Sequence, residues 1–136
     1  MKKIALLLLV ALLSSTTITA QKTVVSKKQS KEKVFDVVEE MPQFPGGQEG
    51  LMIFLRDNMK YPKEATEKGI QGRVLAKFIV EKDGLVSEPE IVKSVYPALD
   101  EEALRVVRCM PKWKPGKQNG KPVRVNYVIP LSFRLN

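Results

Sequence analysis

Histidine is absent from this 136-residue chain, and cysteine occurs once. The first absence removes the commonest general base and the commonest zinc ligand together. The second rules out an intramolecular disulfide, so any fold must be held by its core. A nucleophile at Cys109 would have no imidazole to take its proton. Its place at the end of a helix whose apolar face includes Val106 and Met110 predicts a buried, inert thiol. Phosphate-binding loops are missing as well: Gly46-Gly47 and Gly69 to Gly72 lack the required Lys-Ser/Thr and read as turns. Long apolar runs are equally scarce. The longest, Ile4 to Leu13, would reach about 15 Å as a helix, half of a hydrocarbon core of roughly 30 Å. No catalytic centre, metal site or cofactor is expected.

What is present suits one soluble domain, with 43% apolar and 28% charged residues. Lys2 and Lys3, the apolar run, and Ser14 to Ala20 have the three-part build of a secretory leader, so residues 1–20 read as a signal peptide cut before Gln21. The alternative is an uncleaved anchor in the inner membrane, facing the periplasm. Residues 21–33 are too polar to bury anything and read as a flexible basic linker. The formal charge of +8 falls to +6 once Lys2 and Lys3 leave with the leader. A basic balance favours anionic partners, and export makes nucleic acid an unsuitable one.

From Val34 the elements follow periodicity. Val34 to Glu40 predicts a short strand, and Met41 to Gly47, with two prolines and two glycines, a turn. Leu51, Phe54, Leu55 and Met59 share one helix face, ended by Tyr61-Pro62. Lys63 to Lys68 forms a further turn of helix that Gly69 stops. Arg73 to Glu81 alternates, with Val74, Ala76, Phe78 and Val80 inward. Asp83-Gly84 turns the chain into a return strand, Leu85 to Ser94, where Pro89 predicts an edge or a bulge. Asp100, Glu101 and Glu102 open a helix that buries Leu99, Ala103, Val106, Val107 and Met110, and Pro111 ends it. Lys112 to Lys121 reads as a basic Pro/Gly loop. Trp113 beside it caps the core, with a place lining a peptide groove as the alternative. The last strand, Val123 to Leu135, alternates strictly.

The fold class that results is α+β, with two helices packed on one face of a three-stranded antiparallel sheet of order 2-1-3. The last strand is then an edge, beside which Lys112, Lys114, Lys117 and Lys121 discourage self-pairing and attract acidic partners.

The ordered set Tyr61-Pro62, Gly69-Ile70-Gln71-Gly72, Asp83-Gly84, Leu99-Asp100 and Trp113-Lys114-Pro115-Gly116 resembles the C-terminal domain of the TonB family, over about Val34 to Asn136. The Phe44-Pro45-Gly46-Gly47 run and the missing Pro-rich spacer look like the short periplasmic relatives common in Bacteroidetes. The resemblance implies a non-catalytic periplasmic domain with a transport role. Such a domain receives the TonB-box peptide of a TonB-dependent outer-membrane transporter as an added strand. Carried over by position, the partner-binding residues are Arg124, Val125, Asn126, Tyr127, Val128 and Ile129, with Asn58, Lys60 and Tyr61 ahead of them. The other readings are a soluble module that contacts cell-wall polymer or another periplasmic protein, and a homodimer formed through the last strand.

Overall fold

The alternation of the last strand dictates the architecture. In the computed structural model, which describes residues 32–136, strand β5 (Lys121–Phe133) buries Val125, Ile129, Leu131 and Phe133 and exposes Val128, Pro130 and Ser132. Strand β2 (Gly72–Val80) does the same with Val74, Ala76, Phe78 and Val80, all fully buried. β2 pairs antiparallel with β5 from Gly72↔Phe133 to Val80↔Val125, and on its other side with β3 (Val86–Lys93). The three expected strands thus lie in the expected order, with β2 central. The expected leader, residues 1–20, and the linker from 21 lie outside the described residues except for Glu32 and Lys33, both exposed. Residues Val34–Asn136 make one compact unit.

Two short strands add to this sheet. β1 (Val34–Phe35) pairs parallel with β5 through Val34↔Arg124 and Phe35↔Val125, giving the order β1-β5-β2-β3 and a mixed sheet. β4 (Gly116–Gln118) folds back on Lys121–Val123 as a hairpin. This corrects the reading of Lys112 to Lys121 as a loop. Asn119 and Gly120 both take left-handed backbone angles, φ 54° and 75°, the conformation a two-residue hairpin turn requires and one that Asn-Gly favours.

The β2–β3 turn is a three-residue loop in which only Gly84 is left-handed, with φ 89°. Glu81 N donates to Leu85 O, Gly84 N donates to Glu81 O, and Asp83 Oδ1 accepts from Leu85 N. A Cβ on Gly84 would lie 2.0 Å from the Trp113 carbonyl oxygen, and Trp113 N donates to Gly84 O at 2.9 Å. The turn is therefore clamped to the segment that carries the tryptophan, and only glycine fits it. β3 is the irregular edge that Pro89 predicts: its register with β2 shifts twice, and Glu88 has φ 47°.

Helices α1 (Gly47–Asn58), α2 (Lys63–Glu67) and α3 (Pro97–Arg108) complete the domain. α3 begins at Pro97 rather than Asp100, because proline at the first helical position presets the backbone and needs no donor. Asp100 instead accepts from Val95 N and Ser94 Oγ, holding the turn ahead of the helix. Leu99, Ala103, Val106 and Val107 are fully buried, and α3 packs on β2 and β3. Cys109 is exposed, which overturns the expected buried thiol. It caps the helix four residues after Arg105, one turn along the solvent face, and Arg105 Nη1 lies 3.8 Å from its sulfur.

Candidate strand-accepting edge

Successive residues of a strand turn their backbone N–H and C=O groups to opposite edges. Two prolines decide which way β5 faces. Pro122 and Pro130 have no N–H, so each occupies a position that donates nothing to its antiparallel partner, Lys117 or Leu75. Even-numbered residues of β5 therefore direct their polar backbone groups away from β2. β1 takes up that outer edge only as far as Val125. Beyond it, no strand among the described residues pairs with the outer edge of β5. The Asn126 carbonyl, both groups of Val128, the Pro130 carbonyl and both groups of Ser132 are left facing outward, over about 20 Å of strand.

A cleft follows this edge. Tyr127 meets Met41, Phe44, Leu51 and Trp113 around a cavity of about 250 Å³. A second cavity of about 540 Å³ lies between α1 and β5, lined by Met52, Leu55, Met59, Ile129, Pro130 and Ser132. The two share Gln48 and Leu51. On the outer side, Asp36, Lys77, Asn126 and Val128 border a third, where Asn126 Nδ2 donates to Asp36 Oδ1 at 3.0 Å.

Aromatic side chains build the floor. Trp113 packs edge-on against Phe44, Phe78 and Tyr127, with centroids 5.4, 5.4 and 5.0 Å apart. It is 2% exposed yet lines the first cavity, so it caps the core and borders the groove together. Its Nε1–H finds no acceptor among the described residues.

The residues carried over by position fall into two groups. Arg124 to Ile129 begin the edge, with Arg124 and Val125 already paired to β1, so the open stretch starts at Asn126. Arg124 also holds Glu81 at 2.8 Å and Glu88 at 3.2 Å. Asn58, Lys60 and Tyr61 stand toward the other end, where the intervening Met59 shares a cavity with Ser132. Asn58 O accepts from Arg105 Nη2 at 2.6 Å, Lys60 N donates to Glu102 Oε2 at 2.7 Å, and Tyr61 Oη donates to Ile70 O while its ring meets Phe133 edge-on.

These attachments perturb two carboxylates. Burial alone raises Glu102, the largest single influence, but the Arg105 hydrogen bonds and Lys60 N–H together hold it below its ordinary value. Glu81 behaves likewise, with burial outweighed by Arg124 and Ser87. A carboxyl depressed in the folded state stabilises the fold above its unfolded pKa, and that contribution is lost as pH falls through the folded value. The melting temperature should therefore drop as pH falls below about 4.3, the ordinary glutamate value. A Glu102→Gln variant should melt lower near neutrality and show a shallower acid fall, measured by thermal melts across pH. An acid fall as steep as the parent's would show that the latch to Lys60 contributes nothing.

The α1 side of the cleft was not reached from periodicity. Its signal is the run Leu51-Met52-Ile53-Phe54-Leu55, five consecutive apolar residues that no single helix face can bury. Met52 is 69% exposed as a result.

Fold and edge together describe a two-layer α+β domain in which, among the described residues, the outer edge of β5 stays unpaired past Val125 beside an apolar cleft. The chain belongs to the family of the Gram-negative bacterial TonB protein C-terminal domain, whose model matches residues 57–135, more than half of its length. This family is non-enzymatic, resides in the periplasm, and takes part in energy transduction and binding to TonB-dependent outer-membrane transporters. Among solved structures, the chain is similar to the solution structure of the Helicobacter pylori TonB C-terminal domain (residues 179–285). The two are 26% identical with a TM-score of 0.50, over 63% of this chain and 78% of that one. A shorter form of the same domain (residues 194–285) is 26% identical with a TM-score of 0.47, over 61% and 87%. No significant match is found among curated proteins.

Proposed function

We propose that the chain serves transport across the outer membrane by accepting an extended segment of a TonB-dependent transporter, its TonB-box peptide, along β5. The observation that carries this reading is the outward-facing row of backbone groups from Asn126 to Ser132, which a peptide strand would pair. Arg124 and Val125 then act through β1, which marks where the added strand must start. Asn126, Tyr127, Val128 and Ile129 form the first half of the receiving edge, and Asn58, Lys60 and Tyr61 stand at its far end. Residues 1–20 direct export and are removed.

Hydrogen exchange provides the test. Saturation with plug-segment peptides of the cognate transporter should slow exchange at the Val128 and Ser132 amides by about tenfold or more, because both pass from water into a ladder. Val74 and Ala76, in the centre of the sheet, should not change. A cell-wall glycan is the comparison ligand, since Lys112, Lys114 and Lys121 are exposed near the β4 hairpin. Binding of the glycan together with no peptide effect on Val128 would overturn the reading and favour the polymer-contact alternative.

A further inference from the structure

The α1–β5 cavity and the three cations beyond it do different chemical work. The larger cavity is lined by Met52, Leu55, Met59 and Ile129, with Pro130 and Ser132 along the strand edge; Arg56, which also borders it, is paired with Asp57 at 3.2 Å. α1 lies almost wholly ahead of the residues matched by the family model. Ser132 closes this cavity and also opens the next one, about 510 Å³, which holds Arg73, Lys93 and Arg134. Among the described residues no ion pair engages any of those three, whereas Lys68, Lys77, Arg105 and Arg124 each face a carboxylate. An apolar slot and an anion-seeking cleft thus meet at Ser132, at the end of the open edge.

Resting on the strand-addition reading, we propose that these two places are side-chain subsites that select the bound peptide. The first takes a large apolar side chain, and the second takes a carboxylate about three residues away along the same extended segment. The spacing follows from strand geometry. Odd-numbered residues of β5 face the helices and even-numbered ones face outward. Arg73 pairs with Ser132 on the outer face, so slot and cleft lie on opposite faces of any added strand. Side chains on opposite faces are separated by an odd number of residues, and three residues span about 10 Å, the step from Ile129 to Ser132. Unbranched methionines adapt to ligands of different shape, so the slot accepts leucine, methionine or phenylalanine, while Arg56 at its border already has Asp57 as its partner.

A second copy of this chain fits poorly. The inward side chains of its own β5, Ile129, Leu131 and Phe133, are already buried in its core and cannot enter the slot. The occupant is therefore a segment without a core of its own, carrying one apolar and one acidic residue.

Fluorescence titration of short labelled peptides with Leu-x-x-Glu spacing, and with Glu-x-x-Leu for a strand antiparallel to β5, tests this, the tighter of the two fixing the strand direction. The parent protein should bind that peptide about tenfold more tightly than its Leu→Ser version and severalfold more tightly than its Glu→Gln version. Met52→Ser, at a mostly exposed position, should reduce the leucine preference to about threefold or less and leave the glutamate preference intact. Met52→Ile should retain most of it, and Arg73→Gln with Arg134→Gln should remove only the glutamate preference and its salt dependence. Equal affinity for all peptides, or preferences unchanged in the variants, would overturn the subsites while leaving strand addition standing. Failure of every peptide to bind folded protein would overturn both, as would a concentration-dependent dimer that excludes peptide.

Discussion

Val128→Pro should abolish peptide binding while leaving the domain folded. Val128 is 49% exposed and sits two residues before Pro130, a proline that the strand already accommodates. By the same parity its N–H points outward, so the substitution removes no bond to β2 and leaves the Lys77↔Val128 pairing in place. An inward N–H would cost roughly 3 kcal/mol of stability. An outward one costs binding instead, because the ring occupies the line of the incoming strand and deletes the one donor between Asn126 and Ser132. Affinity should fall by at least about thirtyfold, on the order of 2 kcal/mol, with the melting temperature within a few degrees of the parent. Val128→Thr should bind nearly normally, since the backbone is unchanged. A strongly lowered melting temperature in Val128→Pro would mean that the parity is reversed and that odd-numbered residues face the partner.

The parts of this fold that were legible in the sequence are those written with a single period. β2 and β5 alternate so regularly that strand order and buried face follow from pattern alone, and Pro89 marks β3 as the irregular edge. What was missed depends on pairing between distant segments or on a local signal outweighed by composition. β1 lies within the expected strand from Val34 to Glu40, but it joins residues ninety positions from Arg124, and nothing in Val34-Phe35 announces a parallel partner. β4 did carry its sign in Asn119-Gly120, but four lysines and two prolines between Lys112 and Pro122 have the composition of a loop. Cys109 was assigned to the face of Val106 by proximity, when its spacing of four from Arg105 places it on the solvent side. The edge itself could be named from resemblance, but the cleft could not. It exists because α1 is held against Phe44 and Trp113 at one end and leaves Met52 and Met59 standing over Pro130 at the other.

Trp113→Ala should be the most damaging single substitution in the core, with a loss of about 3–5 kcal/mol. The indole touches Phe44, Phe78 and Tyr127, and so joins the segment before α1 to β2 and β5. Its removal opens a void where the cleft already borders the core. For a domain of this size the melting temperature should fall by about 12 °C or more. It should be followed by circular dichroism, because the chain has no other tryptophan. Trp113→Phe separates packing from polarity. Phenylalanine keeps an aromatic ring against those three neighbours and deletes the Nε1–H that has no acceptor among the described residues, and removing an unsatisfied buried donor recovers part of what the smaller ring loses. Its destabilisation should be less than half that of alanine. If phenylalanine costs as much as alanine, the indole N–H is satisfied in solution, and Trp113 holds the groove through a hydrogen bond as well as through its area.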